Sequence, residues 1–135
     1  MNTKILFYFS ILFTFIFTSC NNDDQQIGKW DDNIKLSQKI VNFDSNANNI
    51  TITTQSKSWR IDAVAFNGTY LDLSNFNLND QNLVIKNTQF SIERINGDKL
   101  KINLEKNDTD SERVLNIALH NGNYFDGIKV TQSKK

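Results

Sequence analysis

The sequence predicts an all-β domain, an antiparallel sandwich of two sheets with seven to eight short strands. Three observations support this fold class. Apolar residues alternate with polar ones at a period of two, turn-forming residues separate these stretches, and no stretch of 11 or more residues keeps a helical apolar stripe. Alternation of this kind places one face of each strand in a core and the other in water.

Eight alternating stretches mark the expected strands. In chain order, their apolar residues are Ile34 and Leu36; Ile50 and Ile52; Leu71 and Leu73; Leu83 and Ile85; Phe90 and Ile92; Leu100, Ile102 and Leu104; Leu115, Ile117 and Leu119; and Ile128 and Val130. Trp59 is in phase with Ile61, so its ring is expected in the core. Residues 70–82 are the least regular, and we expect an edge strand and a long loop there.

Turns between these strands are marked by three Asn-Gly pairs, at 67–68, 96–97 and 121–122. Asn-Gly suits the positive φ angles of a type I′ hairpin turn. Asparagine accounts for 20 of the 135 residues, and its amide caps turns, so a structural role explains its abundance.

The first 19 residues are typical of a secretory signal peptide. Lys4 gives a positive start, residues 5–17 are largely apolar, and Thr18 and Ser19 are small. This apolar run is shorter than the roughly 20 residues that a membrane-spanning helix needs. We therefore expect residues 1–19 to be cleaved.

Cys20 follows Phe17-Thr18-Ser19 directly, which resembles the lipobox of bacterial lipoproteins. This placement predicts that Cys20 becomes the first residue and carries acyl chains, although a free cysteine beside an ordinary cleavage site is the alternative. Asp23 and Asp24 resemble a surface-export signal of Bacteroidota lipoproteins; a solvated leader is the alternative reading. The sequence predicts an outer-membrane, cell-surface location, with a lipidated polar tether over 20–33 and the domain over 34–135.

Charge and composition exclude several function classes. Fifteen Lys plus Arg balance 15 Asp plus Glu, whereas nucleic-acid binding requires a surplus of cations. Without residues 1–19, 116 residues remain with a net charge near −1. His120 is the only histidine and Cys20 the only cysteine, so we expect no catalytic site, no metal and no cofactor. We expect His120 to be exposed at a strand end.

Residues 107–112 offer oxygen ligands at alternate positions, which could suit calcium. The EF-hand pattern fails here, because Arg113 stands where the turn glycine belongs and Leu119 where the bidentate glutamate belongs. We therefore expect a solvated polar turn.

Aromatic residues are the best candidates for ligand contacts, because sugar-binding sandwiches stack apolar sugar faces on exposed rings. The candidates are Trp30, Tyr70, Phe76 and Tyr124. The alternative is that these rings supply core area, as aromatic residues do in small β-domains.

Four motifs occur in order along the chain: 50–54 (Ile-Thr-Ile-Thr-Thr), 58–61 (Ser-Trp-Arg-Ile), 100–102 with Asn107 and Arg113, and 122–132 with Gly-Asn-Tyr-Phe and a closing Val-Thr-Gln. Together they resemble BACON-type domains, whose name abbreviates Bacteroidetes-associated carbohydrate-binding often N-terminal. The resemblance spans roughly residues 34–133 and implies an immunoglobulin-like sandwich that binds glycan, mucin or glycoprotein at the cell surface.

The resemblance places the family's tryptophan on Trp59, its turn asparagine on Asn107, its arginine on Arg113 and its terminal glutamine on Gln132. All four are expected to be architectural. The chain departs from the pattern at Arg60, where relatives often have a second aromatic residue. Two hypotheses remain open: a glycan- or glycoprotein-binding lipoprotein, and a structural subunit that docks onto another envelope protein.

Overall fold

The computed structural model describes residues 30–135, which form two β-sheets packed as a sandwich. Its strands are β1 (Ile40–Phe43), β2 (Asn48–Thr53), β3 (Arg60–Phe66), β4 (Thr69–Tyr70), β5 (Val84–Lys86), β6 (Phe90–Ile95), β7 (Lys99–Leu104), β8 (Arg113–Asn121) and β9 (Tyr124–Gln132). One sheet has the order β1-β9-β8-β3-β4 and the other β2-β7-β6-β5. No helix occurs in this part of the chain, and the predicted all-β sandwich is confirmed.

The core lies between the two sheets and is filled by the alternating apolar residues that the sequence marks. Ile52, Ile102 and Leu115 are fully buried, and Trp59 is buried as predicted. Phe66 of β3 and Phe90 of β6 lie on different sheets, with ring centroids 5.1 Å apart. Aromatic contacts of this kind add to the burial of apolar area in holding the sheets together.

Two alternating stretches do not form the predicted strands. Ile34 and Leu36 flank Lys35, which has a positive φ of 53° because Asp32 Oδ1 accepts hydrogen bonds from the backbone N–H groups of Ile34 and Lys35. Ile34 is nevertheless fully buried. The strand prediction was wrong here because the side chain of Asp32 closes a turn, and the alternation of apolar and polar residues does not reveal such a turn.

The segment from 71 to 83 is the long loop that was expected beside an edge strand, β4. Leu71 and Leu73 lie in this loop rather than in a strand, and they pack half-buried against the core. Side-chain turns interrupt the segment: Asp72 accepts from the N–H of Ser74, and Asp80 accepts from that of Asn82. These turns remove the backbone donors that a strand would use.

Strand β1 was not predicted, and it pairs with β9 in parallel, with Ile40 opposite Lys129 and Phe43 opposite Gln132. The purely antiparallel prediction was therefore wrong at this edge. Every other paired strand in residues 30–135 is antiparallel.

The three Asn-Gly pairs adopt two different arrangements. Asn67 and Gly68 both have positive φ, 48° and 81°, as a type I′ turn requires, and Asn96 and Gly97 also do so within a three-residue loop. Asn121 instead stays in β8, paired with Tyr124, and Gly122 opens the turn with a φ of 61°. Glycine at the first loop position suits type II′, so the type I′ prediction was wrong there.

Candidate functional site

The outward side of the five-stranded sheet, called the outer face below, is built from three rows of paired residues. The strand register gives the rows Phe125, His120 and Arg60; Gly127, Ala118 and Ala63; and Lys129, Asn116, Ala65 and Tyr70. Ile40 of β1 lies beside Lys129 in the last row. The middle row has only small side chains, so a shallow depression of about 430 Å³ lies over Gly127 and Ala118.

Two exposed aromatic rings lie at opposite ends of this face. Tyr70 is 75% exposed and Phe125 is 63% exposed. Burying large aromatic rings against a ligand is favourable, and such rings suit the apolar faces of sugars as well as protein partners. The outer face therefore carries two exposed aromatic rings and a shallow depression that neither ring lines.

A cleft of about 430 Å³, called the basic cleft below, opens at the Phe125 end of this face. Its lining residues are Lys57, Ser58, Trp59, Arg60, Asn79, Arg94, His120 and Gly122. Trp59 and Arg94 are buried and form the floor, whereas Lys57, Arg60 and Asn79 are exposed at the rim. The volume falls in the range of about 300–1,000 Å³ that small-molecule sites occupy.

Arg94 is 2% exposed and stacks on Trp59, with its guanidinium carbon 4.1 Å from the centroid of the ring. It donates to the backbone carbonyls of Lys57 (2.9 Å), Asp80 (3.0 Å) and Gly97 (3.5 Å), while its Nε has no hydrogen-bond partner in the described chain. Burial lowers the pKa of Arg94, and the nearby charge of Asp80 opposes that shift. Because an arginine stays protonated in proteins, the floor of the cleft carries a fixed positive charge.

Arg60 and His120 are partners across β3 and β8 and hydrogen-bond through their side chains, Arg60 Nε donating to His120 Nε2. On its other side, Nδ1 of His120 faces Asp62 Oδ1 at 3.7 Å. A β-bulge shifts the register between Ile61 and Ala63, which brings Asp62 to this position. The side chain of His120 is only 16% exposed, so the expectation of an exposed histidine was wrong.

The N-terminal segment is fastened to the same end of the sandwich. Asn33 Nδ2 donates to the carbonyl of Asn121 (3.4 Å), and Lys39 Nζ bridges Asp32 Oδ2 (3.6 Å) and Asp126 Oδ2 (2.9 Å). Trp30 lies three residues before Asn33 and is 57% exposed, so it lies within about 10 Å of chain length from this contact. The last residues of the predicted tether are thus in contact with the domain.

Tyr124 belongs to this polar cluster and lies half-buried against the core. Its hydroxyl donates to Asp126 Oδ2 (3.4 Å), and burial, followed by the charge of Asp126, raises its pKa. The pKa of Asp32 is lowered, first by the backbone N–H of Lys35, and that of Lys39 is raised, first by its hydrogen bond to Asp126. The cluster holds the N-terminal segment on β9. Because the Tyr124 ring is half-buried there, less of it is available to contact a ligand.

The opposite end of the sandwich is closed by the three buried polar residues that the family resemblance singles out. Asn107 donates to the carbonyls of Ser111 (2.8 Å) and Ser133 (2.9 Å). Arg113 donates to the carbonyls of Glu105 (3.4 Å) and Lys106 (3.2 Å), and Gln132 to those of Asn46 (2.8 Å) and Glu105 (3.1 Å). Each satisfies loop carbonyls, which is the architectural role expected of them.

A second groove, of about 480 Å³, lies on the four-stranded sheet and is rich in amides. Asn48, Asn49, Asn87 and Asn103 line it, and Asn103 Nδ2 donates to Ser91 Oγ at 2.9 Å. Phe90 is its only aromatic lining residue, and that ring is buried. This amide groove offers hydrogen bonds without an exposed ring to stack on.

The structure brings the four candidate aromatic residues to different places. Tyr124 lies at the start of β9, and Trp30 is exposed three residues before Asn33. Tyr70 lies at the far corner of the outer face, and Phe76 packs half-buried against the core from the 71–83 loop. Cys20, Asp23 and Asp24 lie outside the described residues. Sequence reasoning missed Arg94, although Phe90, Ile92 and Arg94 alternate in phase and so predict an inward-pointing arginine.

Within residues 30–135, no three His, Cys, Asp or Glu side chains are grouped so that they could hold a metal ion. No helix long and apolar enough to cross a membrane occurs in the same range.

Comparison with known proteins supports the fold. No protein-family model and no curated protein sequence matches the chain, so membership of the BACON family stays a prediction. An NMR structure of a protein from Bacteroides thetaiotaomicron is similar over 87% of this chain and 97% of its own, with a TM-score of 0.65 and 16% identity. The M1 domain from titin is similar over 76% of this chain and 94% of its own, with a TM-score of 0.50 and 8% identity. These likenesses show that the chain forms an immunoglobulin-like β-sandwich.

Proposed function

We propose that this protein is a non-catalytic, lipid-anchored envelope protein that binds glycan or glycoprotein at the cell surface through its outer face. The observation that carries the proposal is the pair of exposed rings, Tyr70 and Phe125, on one sheet face. Isolated apolar residues on a surface are ordinary, but two exposed aromatic rings on one sheet face, which also carries a shallow depression, suit contacts with the apolar faces of a sugar chain.

Polar groups beside the rings support the same proposal. Asn116 and Lys129 border the depression, and His120 lies next to Phe125, with ring centroids 5.5 Å apart. An amide both donates and accepts, which suits the hydroxyl groups of a sugar. The resemblance to BACON-type domains points to the same class of ligand.

The membrane anchor rests on the sequence around Cys20. Acyl chains contribute roughly 0.8 kcal/mol for each buried methylene, and two or more chains anchor a soluble domain stably. The segment from Cys20 to the docked Asp32 would then hold the sandwich a short distance from the membrane. A location at the outer membrane, facing outward, would give the outer face access to external glycans.

The proposal assigns no chemical step to the domain. His120, the only histidine, accepts from Arg60 and faces Asp62, and no serine hydroxyl bonds to it among residues 30–135. A binding protein needs only the exposed rings and amides described above.

A glycan array that includes mucin glycoproteins tests the proposal. We expect the full chain, purified in detergent, to bind at least one class of glycan, and Tyr70→Ala or Phe125→Ala to weaken that binding roughly tenfold, since a ring in a contact centre contributes more than 1 kcal/mol. Trp30→Ala tests the ring nearest the tether.

The matched control is Val84→Ala, an exposed apolar residue on the other sheet, which should leave binding unchanged. Absence of binding to every glycan and mucin would contradict the proposal.

A structural subunit that docks onto another envelope protein is the second candidate. Strand β2 is six residues long and pairs only with β7, and the N-terminal segment covers only its end, where Ser37 N–H donates to the carbonyl of Thr53 (2.9 Å). It contains neither proline nor lysine, the usual blocks against edge pairing. Cross-linking on intact cells would favour docking if one stoichiometric partner appeared and Thr51→Pro removed it.

A further inference from the structure

We propose that the basic cleft binds an acidic sugar unit, one that carries a carboxylate or a sulfate group. This inference rests on the proposed function, because it names the class of glycan that the outer face and its adjoining cleft would select.

The lining of the cleft is positive. It contains Lys57, Arg60 and Arg94 together with His120, and it contains no aspartate or glutamate. Lys57 pairs with Asp98 at 3.4 Å, whereas neither arginine forms an ion pair in the described part of the chain. Two guanidinium groups therefore face one cleft without a carboxylate partner.

Arg94 is the buried one of these two arginines. Its partners are three backbone carbonyls and the face of Trp59, all of them neutral, and its Nε is unpaired. Asp80 lies near enough to act on Arg94 through its charge but forms no ion pair with it. Removing a charge from water without a paired opposite charge is costly, and an anion that enters the cleft would offset that cost. Because Arg94 and Trp59 are fixed by packing, the positive potential is present before any ligand arrives.

Arg60 is the exposed one of the two arginines. Its Nε donates to His120, and its Nη1 lies 3.5 Å from Asn79 Oδ1, which leaves Nη2 without an assigned partner in residues 30–135. These contacts hold the planar guanidinium at the rim, where it can donate to a carboxylate or sulfate oxygen.

A sugar, rather than a bare anion, fits the remaining surface. Ser58 and Asn79 line the same cleft and offer groups that donate to and accept from hydroxyls. Phe125 adds an exposed ring beside His120, which lines the cleft; the two ring centroids are 5.5 Å apart. Since Trp59 is buried, the floor contributes charge and shape rather than a free stacking face.

Calorimetric titration of the full chain in detergent tests this inference. The probes are an unsulfated chondroitin tetrasaccharide, which bears carboxylates, its 4-sulfated form, neutral chitotetraose and a tetraglutamate peptide. We expect both acidic tetrasaccharides to bind at least tenfold more tightly than chitotetraose at low salt, and this preference to shrink in 0.5 M NaCl because screening weakens exposed charge contacts.

Two variants place the binding in the cleft. Arg60→Gln is expected to weaken the binding of the acidic tetrasaccharides about tenfold while the unfolding midpoint stays unchanged, because Arg60 is exposed. Lys134→Gln makes the same change of charge at an exposed position near the C-terminus and should leave binding unchanged.

The possible results distinguish a failure of this inference from a failure of the proposed glycan-binding function. Chitotetraose binding as tightly as the acidic sugars would overturn the inference while leaving glycan binding intact. Tetraglutamate binding as tightly would overturn the choice of a sugar. No binding to any saccharide, here and on the array, would overturn both.

Discussion

Replacing Trp59 with alanine is expected to lower the free energy of unfolding by about 3–5 kcal/mol, the usual cost of truncating a buried tryptophan. Trp59 is 1% exposed, and its Nε1 donates to Thr54 Oγ1 at 2.8 Å. The Arg94 guanidinium stacks on its ring. The substitution removes core area and also leaves a buried cation without its stacking partner. Urea unfolding followed by circular dichroism measures the change.

Tyr70→Ala is the matched control for Trp59→Ala, because it also deletes an aromatic ring but at a position that is 75% exposed. We expect its effect on the free energy of unfolding to stay within about 0.5 kcal/mol. A loss below about 1 kcal/mol for Trp59→Ala would show that the Trp59 and Arg94 pair does not support the cleft floor.

Asn107→Asp is expected to lower the free energy of unfolding by at least about 3 kcal/mol, more than Asn107→Ala, for which about 1–3 kcal/mol is expected. The amide nitrogen of Asn107 donates to two carbonyls, those of Ser111 and Ser133. In the aspartate an oxygen replaces this donor, so a buried carboxylate oxygen would face two carbonyl oxygens. The same urea unfolding experiment ranks the two variants.

The control for this pair is Asn123→Asp, which makes the same chemical change in the exposed β8–β9 turn and should alter the free energy of unfolding by less than about 0.5 kcal/mol. If Asn107→Asp were as stable as the unaltered protein, the buried network would not be needed to close this end of the sandwich.

Most of the fold could be predicted from alternation because most strands have one buried face. The pattern through Leu100, Ile102 and Leu104 became β7 without change. Alternation predicted strands wrongly at two places, Ile34 with Leu36 and Leu71 with Leu73. Aspartate side chains close turns at both places, and a period-two pattern does not reveal such turns. Alternation also carries no information about strand direction, so the parallel pairing of β1 with β9 was not predictable.

The candidate site was harder to predict, because it depends on which strands are neighbours. The phase of Trp59, Arg60 and Ile61 predicts that Arg60 points outward, but only the β3–β8 register places it against His120. Likewise, the alternation along β9 is enough to predict that Phe125 is exposed. Its place beside His120 of the basic cleft follows only from the pairing of β9 with β8.

In the complex proposed above, ligand binds on the outer face and in its basic cleft. The most direct measurement is to follow backbone amide chemical shifts of the 15N-labelled chain by NMR during titration with the sulfated chondroitin tetrasaccharide. We predict that shift changes concentrate at residues 58–60, 79 and 120–127 around the cleft and at Tyr70, Asn116 and Lys129 on the outer face. Changes confined to the amide groove, at Asn49, Ser91 and Asn103, or no changes at all, would contradict the account.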